Sequence, residues 1–293
     1  MQLTVIYITS QGHSGSTLLT LLLGGHPDIF AIGEVNAFSE ERRIARFKKY
    51  QKKMALIPHD KRREYESHLE KSCMCGAEAI KVCPVWSRVD RYLREHFDLS
   101  LDQLDVNNAD NDVFRRHNLA LFQAAAAVAN VNFVIDATKE MSRMKRLQCL
   151  DELDVRPIHL RRSAHGYVYS GVKRNLPWWK YVRSYVIREI ERTLFLSRQD
   201  HFFVQYESLA TQTQTIIADI MKWLELPFHS NQLKWSGSKQ HLIAGNHMRF
   251  NSAAIIRIDE KWRKALPNTL KQLISFITWP VVGKKNGHHP IKE

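Results

Sequence analysis

An apolar run, Val5-Ile6-Tyr7-Ile8, leads through Thr9-Ser10 into Gln11-Gly12-His13-Ser14-Gly15-Ser16-Thr17, and the chain continues as Leu18-Leu19-Thr20-Leu21-Leu22-Leu23. This order of strand, glycine-bearing loop and apolar helix constrains the fold more than any other stretch, because a β-loop-α unit opens a layered α/β arrangement. It also constrains the chemistry. Successive backbone N–H groups and the positive end of a helix dipole converge on one spot, which suits a phosphate or a sulfate. Gly12 and Gly15 let the backbone approach an anion, and Ser14, Ser16 and Thr17 add hydroxyl donors.

The loop is not that of an ATP-binding protein. A Walker A sequence, G-x-x-x-x-G-K-S/T, carries a Lys for the terminal phosphates and a Ser or Thr for magnesium. Gly12-His13-Ser14-Gly15-Ser16-Thr17 is shorter and has no Lys. From these residues alone, an ordinary Gly- and Ser-rich turn between strand and helix stays open.

Further strand-like runs at Val5–Ile8, Phe133–Asp136, Pro157–Leu160 and Phe202–Gln205 each precede a helical pattern, the alternation of a parallel sheet. Ligands of such sheets bind beyond the carboxyl ends of the strands. His13, Lys139, Arg162 and Tyr206 all follow predicted strand ends, which groups them into one expected site.

In these residues the chain resembles the sulfotransferases that use 3′-phosphoadenosine 5′-phosphosulfate (PAPS). The opening loop is similar to their 5′-phosphosulfate loop, Lys/Arg-Ser-Gly-Ser/Thr-Ser/Thr, and His26-Pro27 with Gly33-Glu34 resembles the HP and GE pairs that follow it. The stretch Ile158 to Ser170 resembles the 3′-phosphate motif, a strand ending in Arg with a Ser eight residues later; Arg162 and Ser170 keep that spacing, and Arg174 lies one helical turn on. Val134 to Lys139 resembles a VDSSK-like strand end, Val204 to Leu209 an RYEDL-like one, and Gly245-Asn246-His247-Met248-Arg249 the late nucleotide-covering loop. The resemblance spans roughly residues 3 to 265. It implies a three-layer, P-loop-like α/β fold with a central parallel sheet flanked by helices. One such domain is expected over 1–293, with a helical insertion at about 36–129 and a polar tail at 283–293.

The resemblance further implies PAPS as cosubstrate, with no metal required, bound by Gly12, His13, Ser14, Gly15, Ser16 and Thr17 at one end. At the other end it implies Arg162, Ser170, Arg174, Tyr206, Asn246 and Arg249. Glu34 is the candidate general base, since a Glu in the matching position of several branches takes the acceptor proton. A glutamate capping the helix that starts near Val35 is the bland alternative. Glu40 and Glu41 adjoin a basic run, where solvated ion pairing explains them. His13 stands where the family has Arg or Lys. Imidazole has an unperturbed pKa near 6.5, so Lys139 is expected to bring the permanent positive charge. Arg161 rivals Arg162, and only the spacing to Ser170 separates them. Sulfuryl transfer is an in-line displacement that needs a base, a cation and clamps for two phosphate ends, but no magnesium bridge. The missing Walker Lys therefore favours it over phosphoryl transfer.

At 293 residues the chain has ample length for a core, and 43 Lys and Arg against 30 Asp and Glu give a net charge of +13. That charge favours anionic partners without choosing among nucleic acid, membrane headgroups, acidic glycans and nucleotides. No signal peptide or spanning segment is read: the first strand enters the anion loop directly, and the apolar runs fall short of the roughly 20 residues a bilayer needs. A cytoplasmic protein is expected, with peripheral membrane contact left open. Residues 42–53 hold seven basic and no acidic side chains, with Ile44, Phe47, Tyr50 and Met54 at helical spacing. This basic amphipathic helix is either a solvated face or an attractor for an acidic acceptor or headgroup. The acceptor is a hydroxyl-bearing molecule, with a carbohydrate or glycolipid preferred because of that helix and of Trp178 and Trp179, although paired tryptophans are more often core.

Two other functions are weighed: a magnesium-ATP kinase with the same loop, and an RNA- or anionic-surface-binding protein using the basic helix. Against nucleic acid, the basic run has few interleaved aromatics and no standard RNA signature. Cys73, Cys75 and Cys83 cluster, but C-x-C is tight for a zinc knuckle, and Cys149 or His68 would have to complete a ligand set. A reduced cluster beside Trp86 is the expected state, with zinc and a disulfide as the alternatives.

Overall fold

The computed structural model describes residues 2–39, 73–77, 79–236, 240–250, 256 and 258–282. The basic run at 42–53, Glu40, Glu41, His68 and the tail at 283–293 lie outside them.

Five strands, β1 (Leu3–Ser10), β2 (Ile29–Gly33), β3 (Phe133–Lys139), β4 (Leu153–Arg161) and β5 (Phe202–Gln205), form one sheet of order β2-β3-β1-β4-β5. β2 pairs parallel to β3, and β4 parallel to β5. Helices occupy the connections: α1 (Ser16–Leu23), α2 (Pro84–Phe97), α3 (Asn111–Ala129), α4 (Met141–Leu147), α5 (Ala164–Val172), α6 (Trp178–Leu196), α7 (Tyr206–Thr211), α8 (Thr213–Trp223), α9 (Lys261–Ala265) and α10 (Asn268–Val282). This is the α/β class that the alternation implies. Among the described residues, no helix is long and apolar enough to cross a membrane.

The strands form where short apolar runs are bounded by breakers. β1 is buried along nearly its whole length, so it reads as continuous hydrophobicity rather than alternation. β2 was not read from the sequence. Its five residues, Ile29-Phe30-Ala31-Ile32-Gly33, follow Pro27-Asp28 closely and are too few to show a period. Local chemistry sets the helix ends. The Asp110 carboxylate caps α3 by accepting from the Asp112 and Val113 N–H groups, and Asn130 ends it in the left-handed region. Pro84 starts α2, where its missing N–H costs nothing. The helical patterns that follow β4 and β5 form α5, α6 and the pair α7 and α8, which break at Gln212.

The chain divides into two compact units. The first comprises Met1–Tyr7, Thr17–Val155 and His229–Ala253. Its Trp86 is fully buried against Phe38 and Phe30 at ring separations of 5.5 and 6.2 Å. A buried Arg143 ties β3 to α3 and its preceding loop, donating to Asp136 Oδ2 (3.0 Å), Asn118 Oδ1 (2.5 Å) and the Val106 carbonyl (2.5 Å). The second unit comprises Ile8–Ser16, Arg156–Phe228 and Ala254–Glu293. Tyr167, Val168, Val182, Tyr185, Leu266 and Ile274 join α5, α6 and α10 there, and Trp178 packs against that cluster. Burial of these side chains contributes on the order of 2 kcal/mol each.

Candidate functional site

Within the second unit the chain leaves β1 at Ser10 and turns through two left-handed residues, His13 (φ 62°) and Gly15 (φ 91°). Gly15 is required there: a Cβ would lie 2.3 Å from the ring of Tyr206. Ser14 is fully buried, and its hydroxyl has no hydrogen-bond partner. A buried hydroxyl without a partner is costly, so Ser14 is a place in the loop before α1 that lacks a polar group to bond.

Arg162 follows β4 directly and organises the loop from the side. It donates to the His13 carbonyl (2.9 Å) and to Asp259 Oδ2 (3.2 Å), while its guanidinium lies 5.0 Å from the centre of the Tyr206 ring. Gly166, one turn into α5, leaves room for it, since a Cβ there would come within 2.7 Å of Arg162 Nε. Burial pushes the Asp259 carboxyl up, but the hydrogen bond and charge of Arg162 together hold it below the usual carboxylate range. Burial raises the Tyr206 phenol above its ordinary value. Arg161, the rival, points elsewhere, donating to the Val281 carbonyl and lying 4.7 Å from the Phe203 ring centre.

Arg174 extends from beyond α5 to the loop. It donates to His13 Nε2 (2.9 Å), to the Tyr181 hydroxyl (3.2 Å) and to the Ser170 carbonyl (2.9 Å). Because a guanidinium can only donate, His13 Nε2 acts as acceptor in this arrangement, and Arg174 puts a permanent cation beside the His13 ring as Arg162 does beside its carbonyl. Ser170 donates its own hydroxyl to the Tyr167 carbonyl (2.6 Å), which leaves its oxygen able to accept.

In the first unit, Glu34 directly follows β2, while Lys139 is the last residue of β3 rather than lying beyond it, and the two meet at the carboxyl ends of this parallel pair: Lys139 Nζ donates to Glu34 Oε1 at 2.5 Å. Both are partly buried, with side-chain exposures of 17% for Lys139 and 29% for Glu34. Glu34 stands at the N-cap position of a short 3-10 turn, Val35–Phe38, but its side chain caps nothing. Gly33 (φ 96°) lets the Ile243 carbonyl approach so closely that a Cβ would sit 2.2 Å from it, and the Glu34 N–H donates to that carbonyl. Thr17 Oγ1 accepts from the Asn246 N–H (3.1 Å), and Arg249 donates to the Ala244 carbonyl, so the 244–249 loop is folded onto itself and onto Thr17.

The structure therefore gathers His13, Ser14, Gly15, Arg162, Arg174 and Tyr206 in one unit, and Thr17, Glu34, Lys139, Asn246 and Arg249 in the other. Asp259 and Tyr181 were missed in the sequence, and neither carries a local signal: each acts through an arginine of another segment. Of the tryptophans, Trp179 is 51% exposed and lines a cavity of about 370 Å³ with Lys180, Arg183 and Arg188. Cys149 is exposed and donates to the Lys145 carbonyl. Cys73, Cys75 and Cys83 are instead joined by His241, 158 residues beyond Cys83 and outside any spacing pattern.

No protein-family model matches the chain, and neither does any curated protein sequence. Solved structures do. The sulfotransferase domain of the Synechococcus PCC 7002 olefin synthase superposes with a TM-score of 0.57 at 15% identity, covering 94% of this chain and 93% of that one. The sulfotransferase domain from the curacin biosynthetic pathway superposes with a TM-score of 0.53 at 16% identity, covering 96% and 98%. The chain thus has a sulfotransferase-type α/β fold, as the motif order implies.

Proposed function

We propose that this protein transfers a sulfuryl group from PAPS to a hydroxyl of an acceptor, with Glu34 taking the proton. The observation that carries the reading is the anion loop, where the unpartnered Ser14 hydroxyl and the backbone ahead of α1 are flanked by Arg162 and Arg174. When bound, PAPS supplies a sulfuryl group on a leaving bisphosphate. The residues present fit it. The loop N–H groups and the hydroxyls of Ser14 and Ser16 would hold the 5′ end, and Arg162 and Arg174 the 3′-phosphate, which Ser170 would join once its hydroxyl turns away from the Tyr167 carbonyl.

Lys139 occupies one oxygen of Glu34, which leaves Oε2 to accept the proton of an acceptor hydroxyl. The same ammonium stands ready for charge that builds up in transfer. As acceptor class we favour a carbohydrate or glycolipid, supported by the half-exposed Trp179 among cationic side chains.

Calorimetry with adenosine 3′,5′-bisphosphate in the absence of magnesium, beside ATP with magnesium, tests the reading. Binding of the bisphosphate alone is expected; preference for magnesium ATP would make the protein kinase-like, and binding of neither would remove the nucleotide site. In the same assay Arg162→Lys is expected to weaken the bisphosphate by about tenfold or more, because an ammonium cannot reproduce a planar two-pronged donor. Unchanged affinity would exclude Arg162 from the phosphate site. Arg174→Gln is expected to lose about 2 kcal/mol, the worth of a charge-assisted contact, and an effect below threefold would exclude Arg174.

A further inference from the structure

The geometry points to a structural zinc site made by Cys73, Cys75, Cys83 and His241, all within the first unit. The four donor atoms lie within 4.8 Å of one another. Cys75 Sγ is 3.6 Å from Cys83 Sγ, and His241 Nδ1 is 3.1 Å from Cys83 Sγ and 3.8 Å from Cys73 Sγ. Zinc bonds of about 2.3 Å to sulfur and 2.0 Å to nitrogen put tetrahedral ligand atoms roughly 3.5–3.8 Å apart. The cluster is already close to that spacing.

The backbone holds the set without help from a metal. Cys73 opens a turn closed by the Gly76 N–H on its carbonyl (3.1 Å), with Gly76 in the left-handed region at φ 88°. Cys83 is the residue before α2, so it stands at the positive N-terminal end of that helix. Trp86 Nε1 donates to the His241 carbonyl at 2.7 Å, and Cys73 forms an antiparallel bridge with Ile243. Bonds of this kind to ligands and their neighbours fix orientation before the ion arrives.

The donor chemistry selects the ion. Three sulfurs and one imidazole are soft to borderline ligands, which disfavours magnesium and calcium and suits zinc. Four protein ligands leave no open position, so the site is structural rather than catalytic. Each thiol that coordinates gives its proton to water. A Cys75–Cys83 disulfide is the competing arrangement, but it would leave Cys73 and His241 without a reason to converge. The C-x-C spacing, too tight for a knuckle closed by local sequence, is completed here by a ligand from a distant loop.

Its place in the fold gives the ion a task. Ile243, two residues after His241, bridges both Cys73 and Gly33, and its carbonyl receives the Glu34 N–H. Zinc would therefore brace the backbone that carries Glu34 and the 244–249 loop.

The test is elemental analysis of protein purified without chelator under reducing conditions, followed by replacement with cobalt. About one zinc per chain is expected, with a thiolate-to-cobalt charge-transfer band and tetrahedral d–d bands. Cys75 is exposed, so Cys75→Ser disturbs no packing; it and His241→Ala are expected to lower zinc affinity by tenfold or more, while Cys149→Ser changes nothing. Zinc far below one per chain after reconstitution would overturn the proposal, and so would a cobalt spectrum without thiolate bands or a Cys75–Cys83 disulfide in the intact mass. If the variants fail to fold, the wild-type metal content and cobalt spectrum still decide.

Discussion

Glu34→Gln is expected to lower the rate of bisphosphate release from PAPS in the presence of carbohydrate acceptors by about a thousandfold, within the range for loss of a general base. The substitution keeps the side chain's size. Its amide oxygen can still accept from Lys139, which now donates to Glu34 Oε1 at 2.5 Å, but the group can no longer take a proton. The backbone contact to Ile243 does not depend on the side chain, so the loop conformation should persist. The loss should therefore fall on kcat, with the affinity for adenosine 3′,5′-bisphosphate retained within about threefold, as for an interaction made only in the transition state. A rate within twofold of wild type would reduce Glu34 to a partner of Lys139 and move the search for the base elsewhere.

Glu189→Ala is expected to cost about 3–5 kcal/mol of stability, the toll of leaving a buried cation unpaired. Glu189 is 0% exposed. Its Oε1 accepts from Arg192 (2.8 Å) and its Oε2 from His159 Nε2 (2.9 Å). Arg192 in turn donates to the Ser10 carbonyl (2.7 Å) and Thr9 Oγ1 (3.1 Å), so the network anchors the end of β1 from which the anion loop departs. Urea unfolding would measure the effect, and a loss below about 1 kcal/mol would show that the pair merely breaks even with its desolvation.

The same network gives the stability a pH dependence. Burial lowers the His159 imidazole below its ordinary 6.5, outweighing the neighbouring carboxylate. Its Nδ1 is buried with no partner, so a second proton there would be an unsatisfied donor. For Glu189, burial acts upward, but His159, Arg192 and Arg161 together hold the carboxyl below 4.5. Both folded-state values are depressed, so the unfolded chain binds more protons and stability falls with acid. The loss from His159 begins as pH drops below about 6.5, and that from Glu189 below about 4.5. His159→Gln should flatten the decline between pH 7 and 5; an unchanged slope would assign it to other groups.

These residues also show where the sequence is legible. The anion loop could be read directly, because its glycines, hydroxyls and following apolar helix act through contacts a few residues apart. The strand-like runs ending at Asp136, Leu160 and Gln205 lie in β3, β4 and β5, although β3 and β4 run on to Lys139 and Arg161. β2 escaped, since five residues cannot display a period. The pairing of Glu34 with Lys139 spans 105 residues, Arg162 with Asp259 97, and Arg174 with His13 161. His241 reaches Cys83 across 158. Turn and helix chemistry is carried by backbone geometry within a few residues, so composition and spacing reveal it. Which carboxylate meets which guanidinium, and which histidine completes three cysteines, is instead set by how the sheet and its connections pack, which leaves no trace in spacing along the chain.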